Sequence, residues 1–383
     1  MEEQEAKLLI IKHYMKTLGK KGVLVMDSWI TSNPFAVFKK KRVASYDFMK
    51  FVALVFVVLD HTFQHWRPAL TQSVFYNFIF LTQMPLFFFI AGYFSFRKAT
   101  SVSRFLDCTK NELRACASYL IPFFSFALLK WASGGYTSSS LFEYLFLIIS
   151  HPQNGLWFLW VLFWMETILN ISGFLAGLIK RIPFKKITTI VFYLLCLSVP
   201  AILYLFADDF GDAKLLIYYS LFFLLGPILM PILEKVTSIG DGEKRHLLMA
   251  LLTAISLLLL SIALNYNSSY LNSPDTLINI TLRVLGGLSS ITVIVMVCSE
   301  LCRLSLFRQI SKLGMFSLET YYVHVFLLSI PAIDSLFQKW PFIWSFAALV
   351  LITYGIIFVI KTFPVFDCVI FGKIPRKRRS AVL

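Results

Sequence analysis

Charge is scarce in this chain and acidic charge scarcest, with 21 Asp and Glu and 36 Lys and Arg in 383 residues, 15% together. A soluble domain carries about a quarter of its residues as charges, so an ordinary water-facing surface is excluded. Cysteine is sparse too. Cys108, Cys116, Cys196, Cys298, Cys302 and Cys368 show no zinc spacing and fall in or beside apolar runs, which excludes a disulfide framework and a structural zinc site. The sequence has no Gly-x-Ser-x-Gly, no His-Glu-x-x-His and no phosphate-cradling glycine loop ending in Lys-Ser/Thr. No cleavable leader is expected, because charged residues fill the first stretch and no apolar segment precedes a small-residue site.

What is present is apolar. Hydrophobic residues make up 58% of the chain and the mean hydropathy is +0.73, the range of polytopic membrane proteins. Runs near the length needed to cross about 30 Å of hydrocarbon cover 46–66, 73–95, 117–133, 155–178, 187–206, 215–233, 247–264, 280–302, 315–333 and 342–362. The expectation is therefore an all-α polytopic membrane protein, a bundle of about ten transmembrane helices. The piece Leu141–Ile149 is too short to span. Segments 1–46, 97–114, 180–186, 234–246, 303–312 and 361–383 hold thirty of the thirty-six Lys and Arg, whereas the alternate connections hold Arg67, Lys130, Lys214 and Lys339. Basic residues stay on the cytoplasmic side, so both termini are expected there. The domains expected are a basic cytoplasmic arm at 1–45, a transmembrane domain at 46–364 and a basic cytoplasmic tail at 365–383. Residues Lys39, Lys40, Lys41 and Arg42 would meet anionic lipid. The net charge of +15 orients helices rather than binding nucleic acid, since no soluble basic face exists. A multi-pass protein of a bacterial inner (plasma) membrane is the expected setting.

Within the first run, Asp47 to Trp66, stand Asp47, Lys50, Asp60 and His61. Ionisable groups at bilayer depth cost several kcal/mol on insertion scales, so they mark a functional site. Lys50 and His61 are eleven positions apart, almost three turns, so they share one face with roughly 16 Å of axis between them. His65 is one turn from His61, and the two would ligate a metal only with a third partner that no spacing supplies; no metal is expected. Pro85 in Gln83–Phe94 removes a helical hydrogen bond and tends to bend the second run. Arg97, Lys98, Arg104, Lys110 and Arg114 either orient helices or cradle phosphates. Gly155 to Trp164 gathers aromatics, Trp157 among them, as an interfacial belt or as a sugar-stacking surface. In the ninth run Ser317 and His324 lie seven positions apart with Thr320 and Tyr321 between them, which suggests a polar cavity, while Glu319 points elsewhere. Gly286 and Gly287 permit close helix approach, and Asp275 is a candidate partner for Arg283.

Four blocks, YDFMKFVALVFVVLDH (Tyr46 to His61), QMPLFFFIAGYF (Gln83 to Phe94), GLWFLWVLFW (Gly155 to Trp164) and KLGMFSLETYYVHVF (Lys312 to Phe326), resemble the acyltransferase 3 family of integral membrane acyltransferases. Within it they look most like the fucose 4-O-acetylase branch. The resemblance implies that His61 is the catalytic base and that Lys50 stands for the family's basic residue eleven positions earlier. It implies an O-acyltransferase with no bound cofactor, taking acetyl-CoA as co-substrate from the cytoplasmic side and a glycan or glycolipid hydroxyl as acceptor. Lys50, Asp47, Arg97, Lys110 and Arg114 would then bind or support the donor, and Gln83, Trp157, Ser317, Tyr321 and His324 would line the cavity. Three positions depart from the family pattern: Gln83 replaces a more usual His, Ala91 replaces a Ser, and Arg114 with Ser118 replaces paired arginines. A transporter or flippase for a glycan is the alternative from another class, since polar helix faces also mark transport routes.

Overall fold

The computed structural model describes residues 43–101, 105–134, 140–179, 185–206, 210–238, 242–266 and 276–373, and among them helices are present and strands are not. The helices are α1 (Ala44–Trp66), α2 (Val74–Ala99), α3 (Phe105–Ala115), α4 (Ile121–Ala132), α5 (Leu141–Ser150), α6 (Trp157–Leu178), α7 (Lys185–Phe206), α8 (Ala213–Ser238), α9 (Glu243–Tyr266), α10 (Leu277–Leu301), α11 (Ser305–Ile310), α12 (Ser317–Leu328), α13 (Pro331–Gln338), α14 (Phe342–Thr362) and α15 (Pro364–Phe371). Residues 1–42, most of the expected arm, and 374–383, most of the expected tail, lie outside the described residues, as does Asp275.

Among the described residues eight helices are long and apolar enough to cross a membrane. In lipid every backbone group must be paired within the segment, so an all-helical answer is what hydrocarbon permits. α1 is absent from the eight, because Asp47, Lys50 and Asp60 break its apolar run although its 23 residues suffice in length. Its faces differ accordingly: Asp47, Ala53, Leu54, Val57, Asp60 and Thr62 are buried. On the outer helices the reverse holds, and Leu194, Leu195, Leu247, Leu258, Leu351 and Phe358 are exposed, a surface suited to acyl chains rather than water.

Two expected runs take a different form. The third begins earlier, at Phe105, and passes through a π turn at Cys116–Leu120 before Pro122 at the start of α4. A proline leaves carbonyls of the preceding turn unpaired, and the wider π turn absorbs that defect. The ninth run is broken. α12 ends at Leu328, Ile330 is extended, and the chain bends by 83° into α13 at Pro331. The residue before a proline is driven out of the α region, which explains the break. By contrast α2 continues through Pro85.

Close backbone crossings position the elements that carry the polar residues. α2 packs along α8, and a Cβ at Gly92 would collide with the Phe223 carbonyl. The 3-10 segment Ser311–Phe316 lies against the first turn of α1, where a Cβ at Gly314 would collide with the Asp47 carbonyl. That contact sets α12, which follows directly, beside α1. After the last long helix, α15 returns to the bundle and buries Phe371 against Tyr322. The stretch expected as a tail from 365 therefore starts as a packed helix.

Candidate active site

α1 and α12 bring two histidines together. His61 Nδ1 lies 3.0 Å from His324 Nε2, with ring centroids 5.1 Å apart and planes 23° from parallel. His324 is fully buried and its Nδ1 lies 2.7 Å from the Thr320 carbonyl. A carbonyl only accepts, so His324 Nδ1 carries a hydrogen and donates it. In a neutral imidazole this leaves His324 Nε2 bare, and His61 Nδ1–H donates to it. His61 then keeps its lone pair on Nε2. The order of hydrogens along Thr320, His324 and His61 is thus set by one backbone oxygen, and it leaves His61 as a base with a defined basic nitrogen.

Beside His61 a second polar group is held. Asp60 is 4% exposed. Its Oδ2 accepts from Gln83 Nε2 at 2.6 Å and its Oδ1 from Gln64 Nε2 at 2.8 Å, and the Tyr76 hydroxyl bonds the same carboxylate. Gln83, expected as a cavity wall, is 2% exposed and turns its N–H to Asp60. Its Oε1 is left buried without a partner among the described residues. Asp60 stood in plain view as an acid in an apolar run, but nothing in the sequence tied it to Gln83 twenty-three positions on.

An aromatic wall continues from the imidazoles. The Tyr321 ring lies 5.9 Å from His324 and 5.5 Å from Phe158. Phe158 meets Phe88 at 5.0 Å, Phe88 stacks on Tyr219 at 4.6 Å, and Tyr219 stacks on Trp157 at 5.6 Å. Trp157 and Tyr321 therefore belong to one run of rings ending at the histidine pair. Ser317 is half-buried and lies two turns from His324, roughly 10 Å along the axis, so the structure does not bring it to the imidazoles.

The cationic residues divide. Lys50 Nζ lies 3.7 Å from Asp47 and 5.3 Å above the Phe94 ring, and Arg97 stacks at 5.0 Å over Tyr93. Lys50, Asp47 and Arg97 thus gather where α1 meets the end of α2. Lys110 and Arg114 are exposed on α3, which packs on α6, and the structure does not join them to Lys50. Glu319 departs from the His324 side, as its spacing suggested, and pairs with Lys361 at 2.7 Å. Sequence reasoning passed over Glu166, which accepts from Ser95 at 2.5 Å and Tyr119 at 2.9 Å, and Glu112, held by Thr167 and Asn170 at 2.9 and 2.7 Å. An acid inside the aromatic-rich sixth helix was the available signal for Glu166. His65 turns to Asp334 at 3.5 Å, and the Trp66 indole donates to the same carboxylate at 2.8 Å. Among the described residues no three or more His, Cys, Asp or Glu gather as metal ligands.

No curated protein and no solved structure matches the chain. A family model does: residues 43–362 match Acyl_transf_3, described as an acyltransferase domain. That stretch runs from the start of α1 to the end of α14 and so contains both histidines and the eight long apolar helices found among the described residues. A match over most of the chain shows the family, and the chain belongs to the acyltransferase 3 family, as an integral, multi-pass membrane acyltransferase.

Proposed function

We propose that this protein is an O-acyltransferase of the fucose 4-O-acetylase-like branch, moving an acetyl group from cytoplasmic acetyl-CoA to a hydroxyl of a cell-surface glycan or its lipid-linked precursor. The observation that carries this reading is the His61–His324–Thr320 chain, which leaves His61 Nε2 free to take a proton. The acceptor O–H gives its proton to His61 Nε2 while its oxygen attacks the thioester carbonyl. The C–S bond then breaks, the departing CoA sulfur takes the proton from the imidazolium, and His61 returns to its neutral form. Lys50, Asp47 and Arg97 mark the donor end, with Lys110 and Arg114 as further phosphate contacts. The roughly 16 Å of helix between Lys50 and His61 matches an arm that keeps phosphates at the membrane surface and carries a thioester inward. The half-buried ring of Trp157 is the surface offered to a sugar, while Gln83 and Tyr321 are buried and support the wall from inside.

Deleting the protein from its host and weighing the surface glycans tests the reading. Loss of an acetyl-sized increment on one sugar is the expected result, and unchanged glycan masses would overturn it.

The topology that goes with this function is ten spans in a bacterial inner membrane, counting α1 and the α11–α12 unit with the eight apolar helices, and both termini cytoplasmic. Support comes from the distribution of Lys and Arg. Reporter fusions after Lys186 and Lys244 are expected to score as cytoplasmic, and fusions after Phe210 and Asn272 as external. A reversal at two of these sites would move His61 to the wrong side for an external acceptor.

A further inference from the structure

A carboxylate buried in an apolar helix ordinarily comes with a cation, because an isolated charge in a low-dielectric interior costs several kcal/mol. Asp60 departs from this. It is surrounded by Gln83, Gln64 and Tyr76, all neutral, and no Lys, Arg or His forms an ion pair with it among the described residues. Both oxygens accept from donors, the pattern of the ionised form rather than of a protonated acid. The carboxylate is thus solvated by fixed dipoles and has no cationic partner among the described residues. His61 is the next residue on the same helix, so the two side chains leave the α1 backbone one position apart.

We propose that Asp60 is the fixed counter-charge of the imidazolium that His61 becomes as it takes the acceptor's proton. It acts through His61 and is a positioning residue in that sense; the inference rests on His61 being the base. A neutral imidazole gains little from the carboxylate, whereas the cation formed in the transition state gains a full charge interaction, and only such a difference speeds the chemical step. The three donors hold the carboxylate in place beforehand, so no reorganisation is needed when the charge appears. The same hydrogen bonds would be satisfied in large part by an amide, so they alone do not account for an acid here.

The test exploits the 2.6 Å contact between Asp60 and Gln83. Full-length protein in nanodiscs is assayed with acetyl-CoA and glycan extracted from the deletion strain. Asp60→Asn keeps the size of the side chain and an accepting oxygen while removing the charge. Its kcat is expected to fall roughly 10- to 100-fold, the range for one charge acting across several ångströms at an effective dielectric near 20, with the KM for acetyl-CoA unchanged. The exchange Asp60→Asn with Gln83→Glu returns the negative charge across the same hydrogen bond and is expected to recover much of the lost kcat. A wild-type kcat in Asp60→Asn would overturn the proposal. So would an exchange variant no faster than Asp60→Asn at equal thermal stability, since hydrogen bonding or packing would then explain the loss. If Asp60→Asn does not accumulate, Asp60→Glu and the exchange variant carry the test, and inactivity of both as folded proteins overturns it. Failure of the base itself reads differently: His61→Gln would then remain active while Asp60→Asn still slowed it. With the base reading intact, Asp60→Asn adds no further loss on top of His61→Gln.

Discussion

Acyl transfer is expected to collapse in His61→Gln, by the roughly 10²- to 10⁴-fold that loss of a general base costs. Glutamine keeps a polar group of similar length at the end of α1, so helix insertion and the contact with His324 need not fail, but an amide takes up no proton near neutral pH. The measurement is the rate of acyl transfer to extracted glycan by the purified variant, beside its thermal stability. His65→Ala is the internal control: His65 faces Asp334, and its loss is expected to leave the rate close to wild type. A stable His61→Gln protein that acylates at a near-normal rate would remove the base and favour a transporter or flippase, in which polar residues line a route without moving a proton.

The second large effect is expected at His324, which contacts the proposed base His61 at 3.0 Å. His324→Leu leaves His61 Nδ1 facing an apolar side chain, so neither the ring's orientation nor its tautomer is held. Removing the orienting partner of a catalytic histidine is costly even where geometry survives, and a fall of roughly 10²- to 10³-fold in kcat is expected here. His324→Gln separates orientation from bulk packing. Its amide oxygen can still accept from His61 Nδ1–H, so this variant is expected to retain far more activity than His324→Leu. Equal losses in the two variants would show that His324 only fills space between α1 and α12. The KM for acetyl-CoA is expected to stay constant in both, because Lys50, at the proposed donor end, is three turns from His61.

Much of this was legible in the chain itself. The long apolar runs, the helical class, the shared face of Lys50 and His61, the separate side taken by Glu319 and the presence of His324 in a polar setting all follow from local rules. A bilayer charges each residue for its own transfer and requires each segment to satisfy its own backbone, so spans and misplaced ionisable groups stand out one segment at a time. The bend at Pro331 was locally encoded as well. Its rule, the exclusion of Ile330 from the α region, competes with hydropathy, which runs on unbroken.

What only the tertiary structure decided is pairing. His61 and His324 are 263 positions apart, and nothing within either run states that they share a hydrogen bond, still less which nitrogen is left basic. Asp60 with Gln83, Glu166 with Ser95 and Tyr119, and Lys361 with Glu319 are of the same kind. Each depends on which helix face meets which neighbour, and that is settled by close approaches such as Gly92 against Phe223 and Gly314 against Asp47. Hydropathy is a property of single residues and survives in the sequence, whereas the partner of a buried polar atom is a property of two surfaces and exists only once they have met.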